Sequence, residues 1–441
     1  MSRRRRAQPQ RWTNWAGNQQ CAPSQIARPL TEAQLRAIVR DAANSGRRVR
    51  AVASGHSFTA IACTNDVLLS LDRMNQVRSV DRTNGLVTVD AGIELRTLNA
   101  RLAKHALAMT NLGDIAYQSV AGAVSTGTHG TGLAFGGLAT QLRGLRIVTA
   151  TGDVLDCNAT ENAEVFHAAR VGLGALGIIS RATIAVEPAF NLHAIEEPHP
   201  IDDVLDRWND EVASHDHYEF FWIPGTRRAM TKTNRRTSDP AQPLPRLVYL
   251  RNKIGGENVA FGAMAKAARH RPSLVPRLSK LASSGASRLE YTDASHKVFA
   301  SPRWVKFVEM EYSVPLADLP VVVRKIGDAV KAAGWPLIFP IEARAAAADD
   351  IPLSTAQGRD SGYVAVHRVK GRPFREYFET VEAIVADHAG RPHWGKMHFH
   401  TAATLSPLYP EWEAFQSVRR RLDPAGLFTN DYIDRVLGPA L

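Results

Sequence analysis

The spacing of apolar residues predicts alternating helices and strands in the first part of the chain. Leu35, Val39 and Ala42 recur with the period of one helix face, and Thr31 and Gly46 suit the two ends of that helix. A second helix is predicted over residues 95–106. Short apolar runs typical of buried strands cover residues 49–53, 67–71, 86–89, 145–150, 154–157 and 178–186.

Longer strands and helices are predicted after Pro188, where we place a domain boundary. The strands cover residues 218–223, 307–314, 337–344 and 363–368. Helices are predicted over 319–333 and 374–388, and a glycine follows each of them. Long strands crossed by helices indicate an α+β fold in which helices cover a sheet. The segment 234–287 has no pattern clear enough to assign an element.

Composition narrows the class of protein. The 441 residues suffice for two or three domains, and the 44% hydrophobic content is typical of globular proteins. No apolar run reaches the roughly 20 residues of a membrane-spanning helix. Polar residues follow Arg3–Arg6, where a signal peptide would be apolar, so we expect a cytoplasmic protein with a basic tail over residues 1–18.

The net charge of +11 does not by itself indicate nucleic acid as a partner. No zinc-finger spacing, basic zipper or RNA-binding aromatic motif accompanies it. The three cysteines form no CxxC pair, so neither a zinc site nor a redox dithiol is predicted. The surplus charge is compatible with an anionic ligand such as a dinucleotide.

Two segments rich in small residues indicate backbone that approaches a ligand closely. Residues 54–57 read Ser-Gly-His-Ser at the end of a predicted strand, and residues 113–137 contain seven glycines. Small side chains leave backbone N–H groups open to a pyrophosphate. The GxGxxG pattern at 172–177 leads into a strand rather than a helix, so a Rossmann site is not supported.

Three segments in order along the chain resemble one superfamily of flavoenzymes. Residues 53–58, Ala-Ser-Gly-His-Ser-Phe, resemble the flavin-attachment segment of the vanillyl-alcohol-oxidase-type enzymes. Residues 128–132 and 393–396 resemble two further segments of that superfamily, and 422–432 fits its C-terminal end. Within it, the chain most resembles the sugar-1,4-lactone oxidases and dehydrogenases, with the alditol oxidases close by.

The resemblance implies a two-domain VAO/PCMH-type flavoprotein. Residues 19–188 would form an FAD-binding domain of two α+β subdomains. Residues 189–441 would form a sheet-and-helix cap that holds the substrate, with a C-terminal segment that returns to the flavin.

The resemblance also implies FAD as the cofactor, bonded covalently through His56. A neutral imidazole nitrogen is nucleophilic near pH 7, which suits such a bond, and non-covalent flavin is the alternative. The residues expected to contact FAD are Ser54, Gly55, His56, Ser57, Ser119, Gly122, Ser125, Gly127, Thr128, His129, Gly130, Thr131, Gly177, Ile178 and His393.

The candidate catalytic residues lie in the second half. Glu342 and Arg344 alternate along a predicted strand and so face the same side, which is also the pattern of a surface ion pair. The resemblance implies that Glu342, Arg344 and Lys396 are catalytic and that they and Ser119 contact the substrate. His367 is a further candidate substrate contact, because its position on a predicted strand would let it line the pocket. No metal site is expected, because no carboxylate completes a ligand set with the paired histidines.

The predicted function is FAD-dependent oxidation of an aldonolactone, L-gulono-1,4-lactone or a relative, by hydride transfer to flavin N5. One alternative is an alditol oxidase. Another is a non-covalent flavin enzyme acting on a lipid-linked sugar, which predicts an apolar, membrane-facing surface. A binding protein on a flavoenzyme scaffold is the alternative without catalysis. The electron acceptor would be oxygen or a cytochrome- or dye-type acceptor, and the small residues 122–126 weakly favour oxygen.

Overall fold

The computed structural model describes residues 10–285 and 287–440, so the predicted basic run Arg3–Arg6 lies outside the described residues. The strands of the first part are β1 Trp12–Thr13, β2 Gln20–Cys21, β3 Gln25–Ala27, β4 Val49–Val52, β5 Val67–Ser70, β6 Val77–Asp81, β7 Leu86–Asp90, β8 Leu107–Ala108, β9 Leu142–Val148, β10 Val154–Asn158, β11 Ile178–Ala185 and β12 Glu187–Pro188. Those of the second part are β13 Asn191–Pro200, β14 His217–Trp222, β15 Arg228–Thr237, β16 Leu289–Ala294, β17 Phe307–Pro315, β18 Ile341–Ala346, β19 Ser361–Val369 and β20 Arg391–Pro392.

The helices are α1 Glu32–Asn44, α2 Leu95–Lys104, α3 Val120–Ser125, α4 Ala163–Ala169, α5 Ile201–Asp206, α6 Trp208–Ser214, α7 Arg246–Tyr249, α8 Phe261–His270, α9 Val275–Ser284, α10 Ser295–Phe299, α11 Leu319–Ala333, α12 Arg375–Ala386, α13 Ala402–Leu405, α14 Trp412–Leu422 and α15 Asp431–Leu437. A π-helical stretch, Leu250–Ala260, joins α7 to α8. Among the described residues, no helix combines the length and the apolar character needed to cross a membrane.

The first part of the chain forms two small sheets with helices packed on them. Strands β3, β5 and β4 form a parallel sheet in that order, and β10, β9, β11, β7 and β6 form an antiparallel one. Helix α1 begins as predicted, because the Thr31 hydroxyl accepts a hydrogen bond from the Gln34 N–H at 3.2 Å. The apolar runs predicted as strands become β4, β5, β7, β9, β10 and β11.

Residues 12–18 belong to this folded part, so a tail extending to residue 18 is wrong for them. Trp12 pairs with Cys21 across a short hairpin. The buried Asn14 side chain donates a hydrogen bond to the Ser57 carbonyl at 2.9 Å. The Trp15 N–H donates to the Gly55 carbonyl at 2.8 Å. The hairpin therefore covers the predicted flavin-attachment segment.

The second part of the chain is built on one long antiparallel sheet. Its strand order among the described residues is β16-β13-β15-β14-β18-β19-β17-β20. Strand β17 pairs with β19 along its whole length, and both are buried almost throughout. Helix α11 matches its predicted bounds, with Gly334 in the left-handed conformation at its end. The strand predicted over 337–344 begins only at Ile341, because Pro340 has no N–H to donate to the sheet.

The C-terminal helices return to the first part of the chain. Phe415, Phe428 and Ile433 are buried in the core of the N-terminal sheets. The Asn430 side chain donates hydrogen bonds to the carbonyls of Ala60 at 3.0 Å and Cys63 at 2.8 Å. These contacts brace the segment that follows the predicted attachment histidine.

Arg50 ties three distant segments together in the interior. Its guanidinium donates to the carbonyls of Ile61 at 2.8 Å, Leu173 at 2.8 Å and Gly174 at 3.1 Å, and also to that of Phe428. Burial lowers the pKa of Arg50 to about 10, which leaves it charged at neutral pH.

We expect Arg50→Met to lower the free energy of unfolding by about 3 kcal/mol, because several buried carbonyls lose their donor. Urea denaturation followed by circular dichroism measures the change. The exposed Arg73 is the matched control, and Arg73→Met should stay within about 0.5 kcal/mol of wild type. Equal stability of the two variants would contradict a bracing role for Arg50.

Candidate active site

Two cavities meet at the predicted attachment segment. The larger, of about 1040 Å³, lies between the glycine-rich segment and strands β13, β15, β17, β18 and β19. The smaller, of about 120 Å³, lies among the small-residue loops of the N-terminal domain. His56 lines both cavities, so one elongated ligand that fills them would pass this side chain.

Many of the predicted cofactor residues line the smaller cavity. Those that line it are Ser54, Gly55, His56, Ser57, Ser119, Gly122, Ser125, Gly177 and Ile178. The backbone N–H groups of residues 54–57 donate no hydrogen bond to any described residue. Gly55 has φ +65°, and a Cβ there would lie 3.0 Å from the Trp12 ring. Consecutive open N–H groups of this kind form an anion-binding nest, which fits the pyrophosphate of a dinucleotide.

Three of the predicted cofactor residues reach neither cavity. Gly127 and Gly130 belong to the glycine-rich segment but line neither cavity. Gly130 packs against backbone instead, since a Cβ there would lie 2.3 Å from the Leu112 carbonyl oxygen. The Thr131 hydroxyl donates to the Tyr218 carbonyl at 2.5 Å and accepts from the Ala345 N–H at 3.2 Å. Thr131 therefore fastens the glycine-rich segment to the long sheet.

Ser119 is not brought to the larger cavity. It caps helix α3, since its hydroxyl accepts a hydrogen bond from the Gly122 N–H at 3.1 Å. Of the two cavities, it lines only the smaller one.

His56 is held between aromatic rings at the junction. Its ring stacks on Trp15 at a centroid distance of 5.6 Å and faces Tyr117 at 6.5 Å. Burial lowers the pKa of His56 to about 4, so its imidazole is neutral at physiological pH. A neutral ring keeps a nitrogen lone pair available for bonding.

Arg344 is buried, lines the larger cavity and contacts three carboxylates. Its guanidinium lies 2.7 Å from Asp114 Oδ2 and 3.0 Å from Glu219 Oε2, and it also contacts Glu342. Oxygens of the three carboxylates lie within 4.8 Å of one another. Lys232 approaches Glu219 at 3.3 Å and adds a second positive charge to the cluster.

The carboxylates of this cluster differ in their pKa values. Burial raises the pKa of Glu342 to about 7, and the negative charges of Asp114 and Glu219 add to that rise against the opposing effect of Arg344. Burial alone would raise the pKa of Asp114 too, but Arg344 and Lys232 lower it to about 2. Glu342 therefore titrates near neutral pH, whereas Asp114 stays negatively charged there.

A second charged cluster surrounds Lys396. Its ammonium contacts Glu309 and lies 3.8 Å from Glu311 Oε2. Burial would lower the pKa of Lys396, but the two carboxylates raise it, so the ammonium stays charged. His129 Nε2 lies 3.2 Å from Glu311 Oε1, which places His129 behind this cluster while it still lines the cavity.

His367, His393 and Thr128 complete the predicted residues of the larger cavity. His367 Nδ1 donates to the Pro340 carbonyl at 3.0 Å, and its Nε2 lies 3.6 Å from Glu309 Oε1. Burial lowers the pKa of His393 to about 4, and its neutral ring accepts a hydrogen bond from the Gly395 N–H at 3.0 Å.

Sequence reasoning missed four acidic residues of the two clusters. Glu309 and Glu311 alternate within an otherwise apolar strand, which is a signal that buried partners exist for them. Asp114 follows a glycine in the small-residue segment, and Glu219 lies in a predicted strand. The sequence carried no signal for either, since their common partner, Arg344, lies more than a hundred residues away.

Comparisons with known proteins agree with this arrangement. A family profile described as D-arabinono-1,4-lactone oxidase matches residues 182–436, and one described as FAD binding domain matches residues 23–158. The chain is 44% identical to an L-gulono-1,4-lactone dehydrogenase of Mycobacterium tuberculosis, over 97% of this chain and 99% of that protein. It is 32% identical to an L-gulonolactone oxidase of Bos taurus, over 97% and 98% of the two chains.

The fold is shared with more distant proteins. A solvent-stable cholesterol oxidase superposes with a TM-score of 0.82 over 98% of both chains, at 19% identity. A cholesterol oxidase from B. sterolicum gives a TM-score of 0.78 at 17% identity, over 98% of this chain and 97% of that one. This likeness concerns the architecture, which is the predicted VAO/PCMH-type α+β fold.

Proposed function

Since the chain belongs to the D-arabinono-1,4-lactone oxidase family, FAD-dependent oxidoreductases of sugar lactones, we propose that it oxidises L-gulono-1,4-lactone or a closely related aldonolactone. The observation that carries the proposal is the pair of charged clusters in the larger cavity, next to His56. When bound, FAD takes up the hydride that leaves the substrate carbon bearing the hydroxyl group next to the lactone carbonyl.

Glu342 is the group we propose as the general base. A base must be deprotonated at working pH and still bind a proton well, and a carboxyl group with a pKa of about 7 meets both conditions. It would accept the proton of the substrate hydroxyl as the hydride leaves the same carbon. Aspartates and glutamates with unshifted pKa values are much weaker bases.

Arg344 and Lys396 supply positive charge for the substrate oxygen that becomes negative. Arg344 is buried and Lys396 is half-buried, and adjacent carboxylates raise the pKa values of both against the effect of burial. Fixed cations in a cavity shielded from water stabilise developing negative charge more than they would in solvent. We assign His367 to the pocket wall, where its contacts with Pro340 and Glu309 orient the ring.

The smaller cavity would hold the pyrophosphate of FAD on the open N–H groups of residues 54–57. We propose that His56 is bonded to the 8α carbon of the flavin, because its neutral imidazole keeps a nucleophilic lone pair. Such a bond would replace a C–H bond of the 8-methyl group and the N–H bond of the imidazole. The two protons would pass to solvent and the two electrons, by way of the flavin, to the electron acceptor.

We propose oxygen or a cytochrome- or dye-type molecule as that acceptor. Both classes of acceptor fit the names of the relatives, which include a dehydrogenase and oxidases. Reoxidation of the reduced protein in air and with a dye, measured side by side, distinguishes the two classes.

The proposed function predicts that the purified protein has the visible absorption bands of oxidised flavin and that anaerobic L-gulono-1,4-lactone bleaches them. Glu342→Gln should keep the bands and slow the bleaching by about 10²- to 10⁴-fold, since an amide cannot accept the proton. Stopped-flow absorbance measures both. Bleaching by an alditol but not by the lactone would assign the alternative substrate, and a wild-type rate in Glu342→Gln would remove that residue from the reaction.

His56→Ala should release the flavin on acid precipitation, whereas the wild-type pellet should remain yellow. The measurement is flavin absorbance in pellet and supernatant after trichloroacetic acid. His393→Ala is the control, because His393 also lines the larger cavity but is not proposed as the linkage. Acid-stable flavin in His56→Ala would exclude His56 as the attachment residue.

Asp114→Asn should move the pH dependence of flavin reduction to lower pH by about one unit. In wild type the rate should fall as the pH drops through about 7, where Glu342 becomes protonated. Loss of the Asp114 charge lowers the pKa of Glu342, so the fall should begin at a lower pH. The exposed Asp153 gives the control, Asp153→Asn. A slower rate with an unmoved pH profile would indicate that Asp114 only positions Arg344.

A further inference from the structure

The helical segment 246–285, between β15 and β16, carries most of the net charge of the chain. It contains eight lysines and arginines and one acidic residue, a net +7 of the total +11. Lys253 is the exception among its cations, because its ammonium contacts Glu196 and Glu257 inside the cavity. The other seven are exposed and pair with no acidic group of the described residues: Arg246, Arg251, Lys266, Arg269, Arg271, Arg277 and Lys280.

Large apolar side chains project from the same region. We call Leu247, Tyr249, Leu250, Val259, Leu281 and Trp304 the mouth patch, since all six are exposed. Leu247 is 81% exposed and Leu281 65% exposed, far more than leucines packed against a domain surface.

The mouth patch adjoins the solvent-exposed rim of the larger cavity. Tyr249, Leu281 and Trp304 are exposed to solvent and also line the cavity. Asn258 connects Val259 to this rim, because its side chain donates to the Pro302 carbonyl at 3.2 Å and accepts from the Trp304 N–H at 2.9 Å. Exposed apolar groups are thus continuous with the lining of the active-site cavity.

A second copy of this chain is a poor occupant of the patch. A two-fold interface places the same surface on both sides, so it would bring two segments of charge +7 together. The charge instead complements an anionic partner. Apolar side chains that protrude among long cationic ones suit a lipid surface, where the former enter the headgroup region and the latter reach the phosphates.

We infer that the mouth patch and the cations of segment 246–285 form a docking surface for an anionic lipid bilayer. Docking in this orientation sets the cavity entrance against the membrane. Each Lys or Arg near an anionic surface adds to the affinity, so seven exposed cations suffice for reversible binding even without a deep insertion. The inference does not depend on the proposed substrate.

The test is sedimentation of the full-length protein with vesicles of phosphatidylcholine, alone or with about 30% phosphatidylglycerol. Binding should be at least about tenfold stronger to the anionic vesicles and should weaken as salt is raised. The double variant Leu247→Glu, Val259→Glu should bind about tenfold more weakly, while its flavin reduction by lactone stays unchanged, because neither residue lines either of the two cavities described above. The matched control is Val321→Glu, an equally apolar exposed residue on α11.

Three outcomes would overturn the inference. These are equal binding to neutral and anionic vesicles, wild-type binding by the double variant, and a patch-dependent dimer in light scattering without vesicles. An apolar membrane-facing surface is also expected of the lipid-linked-sugar alternative. The vesicles contain no such sugar, so binding of the protein to them does not depend on which substrate it oxidises. If lactone oxidation failed, the vesicle experiment would still test the docking surface.

Discussion

The burial of one guanidinium, that of Arg344, determines how the substrate side of the cavity is built. An unpaired charge in a protein interior is destabilising by several kcal/mol, so Arg344 requires carboxylates around it. They come from three places: Asp114 from the glycine-rich segment, Glu219 from β14 and Glu342 from its own strand. Asp114 belongs to the N-terminal domain, so this ion cluster also fixes that domain against the long sheet.

The burial of these charges also distinguishes Arg344, which stays charged at neutral pH, from Glu342, which titrates near it. Arg344 faces three carboxylates, and burial together with the two other negative charges leaves Glu342 with a raised pKa. Glu309, which contacts Lys396, shows the opposite net shift. Burial would raise the pKa of Glu309, but the ammonium of Lys396 lowers it to about 2. Carboxylates whose environments drive their pKa values apart are a recurrent basis for assigning acid–base roles.

Local patterns predicted much of the fold but only part of the site. Helix α11 and the same-face placement of Glu342 and Arg344 follow from periodicity alone, and residues 54–57 were found from their small side chains. Strand β15 was missed, since its sequence, Arg-Ala-Met-Thr-Lys-Thr-Asn-Arg-Arg-Thr, is polar. It is a strand because it pairs with β13 and β14 on both sides, which no local pattern reports.

Long-range contacts explain the other differences in the same way. The sequence assigns Trp15 to a basic tail, yet its ring stacks on that of His56, more than forty residues away. Thr131 carries a flavin-family motif, but its hydroxyl is used to join two domains rather than to line a cavity. A motif therefore locates a segment reliably, whereas the role of each side chain depends on the partners that the fold brings to it.

Burial also explains where the charges of the chain are paired and where they are not. Inside the cavity each cation has acidic neighbours, as Lys232 has Glu219 and Lys253 has Glu196, because a lone buried charge is too unfavourable to persist. On segment 246–285 water solvates the cations, so no such requirement applies. The excess positive charge of the protein therefore lies on the exposed segment 246–285, beside the larger cavity, where an external anion can reach it. Inside that cavity, the cations are paired with carboxylates.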